Sequence, residues 1–86
     1  MGIDFKEEAL RDKEYWKAYG TPAIREKIKS LLKSMKQTPF SGIGKPEPLK
    51  YDLAGKWSRR INRTNRIVYS VENGIITVYS LRGHYD

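Results

Sequence analysis

The sequence predicts an α+β fold in which two N-terminal helices pack on one face of a small antiparallel sheet, all within a single domain spanning residues 1–86. Three observations predict it: a helix-spaced apolar series in residues 22–35, three β-rich runs within residues 57–81, and an Asn-Gly pair between the last two runs. A chain of 86 residues holds one modest core, and without cysteine that core forms with neither disulfides nor thiolate metal sites.

Each element has a local cause. Residues 3–5 make a short apolar start, in which Asp4 sits oddly for a strand. Residues 6–18 are rich in Glu, Lys, Ala and Leu and run up to Gly20, a natural helix stop, so they predict the first helix. Thr21-Pro22 then supplies an N-cap and a first-turn proline, and Ile24, Ile28, Leu31, Leu32 and Met35 follow on one helical face. The other face carries Arg25, Lys27, Lys29, Lys33 and Lys36 and reads as a solvated surface. Residues 38–48 contain three prolines and two glycines, too many for a helix or a paired strand, and predict an ordered loop. Strands are expected at 57–61, 66–71 and 75–81, the last two joined through Asn73-Gly74. Ile67, Tyr69 and Val71 alternate with Arg66, Val68 and Ser70, giving one apolar and one mixed face. The helices should cover the apolar face, leaving Arg60 and Arg66 on an open one.

The formal net charge is +7, from 17 Lys and Arg against 10 Asp and Glu, and the excess lies beyond residue 20. Lys56, Arg59, Arg60, Arg63 and Arg66 crowd together with no acid among them. Such a field draws polyanions: nucleic acid first, although an acidic protein segment or an anionic membrane answers to the same charge. The longest apolar run, residues 74–79, falls far short of the roughly 20 residues that cross a bilayer, and no signal-like stretch opens the chain, so a cytoplasmic protein without a membrane partner is expected.

The inventory of reactive groups is short. One histidine and no cysteine exclude His-rich zinc sites and Cys-His nucleophile pairs. None of the six serines lies in a nucleophile elbow, and Gly42-Ile43-Gly44-Lys45 lacks the spacing of a phosphate-cradling loop. What remains suits RNA cleavage without metal or other cofactor, in which the 2′-hydroxyl attacks the adjacent phosphate. That step needs a base, an acid for the leaving 5′-oxygen and fixed cations for the phosphorane. Glu47, His84 and the arginines offer these roles. Read alone, Glu47 is equally an exposed loop carboxylate, His84 a residue of the terminal surface, and Tyr85 either a base-stacking ring or an anchor for the tail.

The blocks Thr38-Pro39-Phe40, Gly42-Ile43-Gly44-Lys45-Pro46-Glu47-Pro48-Leu49-Lys50, Gly55-Lys56-Trp57-Ser58-Arg59-Arg60-Ile61, Arg66-Ile67-Val68-Tyr69 and His84-Tyr85 follow in order and with compatible spacing. Together they resemble the YoeB (Txe) toxins of bacterial toxin–antitoxin systems, members of the RelE-like superfamily. The resemblance implies a RelE-like fold and a ribosome-dependent endoribonuclease, an mRNA interferase that inhibits translation and is neutralised by a YefM-like antitoxin. It further implies a homodimer, contact with ribosomal RNA, and operator DNA bound through the antitoxin complex. Under it Glu47 corresponds to the general base, His84 to the general acid and Arg66 to the arginine that stabilises the transition state. Lys50 and Arg60 match residues that hold phosphate, and Tyr85 the aromatic that orients the substrate. Arg59, their neighbour in the arginine cluster, is expected to bind substrate with them. Gly83 departs from the family, which usually carries a bulkier residue there, and this predicts a more flexible tail before His84. Asp86 adds a carboxylate after the tyrosine.

Two other readings compete. A non-catalytic RNA- or DNA-binding module would use the basic face and leave Glu47 and His84 without a chemical role. An interaction protein would offer that face to an acidic, disordered segment that folds on binding, which is compatible with a nuclease whose site is thereby covered.

Overall fold

A computed structural model describes residues 1–83; His84, Tyr85 and Asp86 lie outside the described residues. The chain runs β1 (Gly2–Phe5), α1 (Glu7–Tyr19), α2 (Pro22–Gln37), β2 (Glu47–Pro48), a 3₁₀ turn (Tyr51–Leu53), β3 (Trp57–Arg60), β4 (Arg66–Glu72) and β5 (Ile75–Ser80). The five strands form one sheet in the order β1-β5-β4-β3-β2.

The elements with strong local signals form as the sequence predicts. Thr21 caps α2 by accepting a hydrogen bond from the Ile24 amide at 3.1 Å, and Pro22 occupies the first turn, where its missing N–H costs nothing. Asn73 and Gly74 both adopt positive φ, +52° and +75°, as a two-residue hairpin turn demands. Ala9 and Trp16 of α1, and Leu31 and Met35 of α2, bury against Ile67, Tyr69, Ile76 and Val78 of the sheet. The two helices therefore cover one face, as expected.

The sheet is larger than the predicted three strands, and it is mixed. β1 pairs in parallel with β5, Ile3 beside Ile76 and Phe5 beside Val78. Asp4 is tolerated there because Ile3 and Phe5 are the residues that pack against the core. The expectation that prolines bar residues 38–48 from pairing is also corrected. Glu47 and Pro48 pair antiparallel with Ser58 and Trp57, and since β2 is an edge strand, a residue without an N–H fits.

The larger correction concerns Arg59, expected to bind substrate. Successive residues of a strand face opposite ways, so Arg59 enters the helix-covered side while Arg60 stays exposed. Arg59 is 0% exposed, and each of its five N–H donors has an acceptor. Nε donates to the Tyr69 hydroxyl (3.1 Å), Nη1 to Ser34 Oγ (2.8 Å) and the Ile43 carbonyl (3.1 Å), and Nη2 to the Thr38 and Ser41 carbonyls (2.6 and 2.7 Å). Thr38 is the C-cap of α2, so the cation also meets the negative end of that helix. Tyr69 extends the network by donating to the Pro39 carbonyl at 2.6 Å. Arg59 thus fastens the proline-rich loop to α2 and the sheet, and its guanidinium has no donor left for a phosphate.

Removing Arg59 leaves buried carbonyls without donors, so Arg59→Ala should cost about 3 kcal/mol or more, whereas Arg60→Ala should change stability by less than about 0.5 kcal/mol. Urea unfolding of the two variants checks this contrast. Burial pushes the Tyr69 phenol above its ordinary value near 10.0, and the hydrogen bond and charge of Arg59 oppose that rise without cancelling it. The unfolded chain therefore ionises Tyr69 first, so this contribution to stability is intact below about pH 10 and is lost as pH climbs towards the folded-state value. In Tyr69→Phe, the fall in unfolding midpoint above pH 10 should be smaller than in the wild type.

Candidate active site

On the sheet face away from the helices, the β3–β4 pairing sets Arg60 opposite Arg66 and Ser58 opposite Val68, and the β2–β3 pairing sets Glu47 opposite Ser58. Directly paired residues project to the same side, so Glu47, Ser58, Arg60 and Arg66 share one patch. Arg66 Nη1 donates to Glu47 Oε1 in a short ion pair and to Ser58 Oγ at 3.1 Å. The Arg66 side chain is only 12% exposed, against 54% for Glu47. The guanidinium is thus anchored, and the carboxylate is open to a ligand.

The electrostatics of this patch are unbalanced. Two arginines lie directly across a strand pair, an arrangement that destabilises a sheet unless an anion intervenes. Among the described residues Glu47 supplies one negative charge to Arg66, and Arg60 has no ion-pair partner. Among the described residues the patch is one anion short. A phosphate is well suited to fill that deficit, because guanidinium groups donate paired hydrogen bonds to its oxygens.

Five of the sequence candidates fall among the described residues. Glu47 and Arg66 are in contact, and Arg60 flanks them. Lys50 is exposed at the start of the 3₁₀ turn, three residues beyond Glu47; its carbonyl accepts from the Leu53 amide at 3.1 Å, and its ammonium makes no ion pair among the described residues. Arg59 is on the other side of the sheet. His84 and Tyr85 lie outside the described residues, although the chain reaches Gly83 beside the patch: the Arg66 amide donates to the Gly83 carbonyl at 3.0 Å.

Two polar residues with a part in this arrangement were missed by sequence reasoning. Ser58 steadies Arg66, and strand alternation from the exposed Arg60 could have found it, being two positions away on the same face. Asn65 accepts from the Gly83 amide at 3.0 Å, a pairing across 18 residues that no local pattern signals.

The face is not bare. Leu53 and Lys56 lie over Val68, Tyr79 and Ser80 around a shallow recess of about 330 Å³, with Lys56 Nζ 4.2 Å from the Tyr79 ring centre.

Residues 5–85 match the family of YoeB-like toxins of bacterial type II toxin–antitoxin systems. The chain belongs to the YoeB toxin family. Toxin YoeB of Escherichia coli K12 is 41% identical over 85 residues, covering 99% of this chain and all of that protein. Among solved structures, the YoeB/ParE toxin from Agrobacterium tumefaciens superposes with a TM-score of 0.91 at 41% identity, covering 99% of this chain and 100% of that one. The YoeB dimer and the YoeB–YefM complex from Staphylococcus aureus give 0.88 and 0.87, both at 40% identity over 99% of this chain and 98% of theirs. The fold is accordingly that of the YoeB toxins, and the protein is a toxin of the type II class.

Replacing Glu47 by Gln removes the carboxylate that, among the described residues, pairs with the patch of two facing arginines. Stability should fall by about 0.5–1 kcal/mol at low ionic strength, and the deficit should shrink in high salt, where the repulsion is screened. Thermal unfolding of both proteins across a salt series measures it.

Proposed function

We propose that this YoeB-family toxin is a ribosome-dependent endoribonuclease that cuts mRNA without a metal or other cofactor and thereby inhibits translation. One observation carries the reading: a solvent-accessible carboxylate, Glu47, held by an anchored arginine, Arg66, with a second arginine, Arg60, directly across the strand pair. A carboxylate beside surplus guanidinium charge is what transfer of a 2′-hydroxyl onto its neighbouring phosphate requires.

In this mechanism the scissile phosphate docks beside Arg60 and Arg66 and competes with Glu47 for Arg66. The freed carboxylate removes the 2′-hydroxyl proton as the O2′–P bond forms. Arg66 stabilises the extra negative charge of the phosphorane, and Arg60 and Lys50 hold the flanking phosphates. The P–O5′ bond then breaks, leaving a 2′,3′-cyclic phosphate on one fragment. His84 gives the departing 5′-oxygen its proton, and Tyr85 orients the substrate base; both roles rest on the family resemblance. Arg59 takes no part in substrate binding.

mRNA and ribosomal RNA are the macromolecular partners of the reaction, in the cytoplasm where translation occurs, and no membrane is involved. A YefM-like antitoxin neutralises the toxin, and the Staphylococcus aureus YoeB–YefM complex supports that partner. The solved Staphylococcus aureus YoeB dimer likewise supports a homodimer, and operator DNA is reached through the antitoxin complex.

Primer extension on a translating mRNA tests the reading. Wild-type protein should produce discrete cuts at ribosome-occupied codons, and Glu47→Ala and Arg66→Ala should each cut at least about 100-fold more slowly, the usual size of a lost acid–base or charge-stabilising group. Intact mRNA with the wild type, under conditions where it binds ribosomes, would favour the non-catalytic module instead.

A further inference from the structure

Gly83, which the sequence marks as a source of flexibility, is held on both sides. Its N–H donates to Asn65 Oδ1 at 3.0 Å, and its C=O accepts from the Arg66 amide at 3.0 Å. Its φ of +111° belongs to a region that L side chains rarely adopt, so a bulkier residue could not take this conformation without strain. Asn65 is itself braced: its amide donates to Asn62 Oδ1 at 2.8 Å, and its Nδ2 donates to Asn62 Oδ1 and Thr64 Oγ1 at 3.2 and 3.1 Å. That bracing fixes the carboxamide with its oxygen free to receive Gly83.

The preceding chain is fastened as firmly. The Leu81 amide donates to Asp12 Oδ2 at 2.9 Å, and the Leu81 carbonyl accepts from Trp16 Nε1 at 2.8 Å, both buried. Between these residues the Arg82 guanidinium lies over the Tyr15 ring, 3.8 Å from its centre. Side chains of α1 thus fix the end of β5, and Asn65 fixes the last step towards Arg66. The Leu81 contacts are buried and packed into the core. The contact of Asn65 Oδ1 with Gly83 stands apart: the other bonds of Asn65 stay within its own turn, and this one reaches across 18 residues to the tail.

We propose that Asn65 is a positioning residue for RNA cleavage: it secures Gly83, the residue bonded to His84, at a fixed place beside Arg66. The inference rests on the nuclease reading above and assigns a role to a residue that touches no substrate. Gly83 and Asn65 work as a pair, one supplying a backbone conformation closed to other residues, the other the acceptor that selects it. A small displacement of an acid from its leaving group costs up to about 100-fold in rate, which sets the expected effect.

The test measures single-turnover cleavage on programmed ribosomes for the wild type, Asn65→Ala, Gly83→Ala, His84→Gln and the double variant Asn65→Ala/His84→Gln. Asn65→Ala should lower the rate constant about 10- to 100-fold, with half-saturation changed less than about twofold and the unfolding midpoint nearly unchanged. Gly83→Ala should fall in the same range. In the His84→Gln background, Asn65→Ala should have almost no further effect, because the group it positions is already gone. In ¹⁵N-labelled toxin, the Gly83 amide proton of Asn65→Ala should shift upfield and exchange faster, whereas a merely unstable variant would change throughout the spectrum. Equal cleavage by Asn65→Ala and wild type overturns the positioning role alone. So does an Asn65→Ala loss of the same size with or without His84, which would mark a general structural defect. A wild type that leaves mRNA uncut overturns the nuclease reading and this proposal together.

Discussion

The architecture depends on a buried guanidinium. Arg59 carries a full positive charge at 0% exposure, a state that costs several kcal/mol in desolvation unless every donor is paired. Its five donors meet three backbone carbonyls of the loop after α2, a serine of α2 and the Tyr69 hydroxyl. Among the described residues no carboxylate neutralises it. Neutral dipoles and the C-terminal end of α2 therefore carry the charge. The consequence is positional: a loop with three prolines, which cannot build its own ladder of hydrogen bonds, has three of its carbonyls held by one buried side chain, with Tyr69 on Pro39 and the Arg60 amide on Gly44 adding to the hold. Glu47 emerges from the end of that loop, so the reach of the carboxylate towards Arg66 depends on a residue on the opposite side of the sheet.

Two adjacent arginines thereby do unlike work. Strand alternation sends Arg59 inwards and Arg60 outwards, and the antiparallel register then sets Arg60 opposite Arg66. The outward pair is a repulsive arrangement that only an anion relieves, and Glu47 relieves half of it. On the proposed nuclease reading the imbalance is useful, since an internally satisfied set of charges would have nothing to offer a phosphate. The stability lost to that repulsion is small and screened by salt, whereas the inward arginine is indispensable to the packing.

The tail follows the same division of labour. Asp12 and Trp16 satisfy both backbone groups of Leu81 inside the protein, and Asn65 and Arg66 satisfy both groups of Gly83 nearer the surface. A glycine that would loosen a free chain is here the residue whose unusual φ lets the chain meet two partners at once. Conformational freedom in the unfolded state and order in the folded one are compatible, because the order comes from the partners.

Local pattern alone determined much of this protein. The apolar series of α2, its Thr-Pro start and the Asn-Gly hairpin each depend on neighbours within a few residues, and each formed as read. The order and spacing of basic, carboxylate and aromatic blocks also carried the family resemblance, and with it Glu47 and Arg66 as candidates. Only the tertiary structure decided the rest. β1 pairs with β5 across some 70 residues, and Pro48 pairs because β2 happens to lie at an edge; neither relation leaves a periodic trace. Arg59 and Arg60 are chemically identical in the sequence, and which one faces solvent is set by register and by the helices that cover one face. The sequence determines which groups are present and how each segment folds locally; burial and long-range pairing decide which of those groups remain available for chemistry.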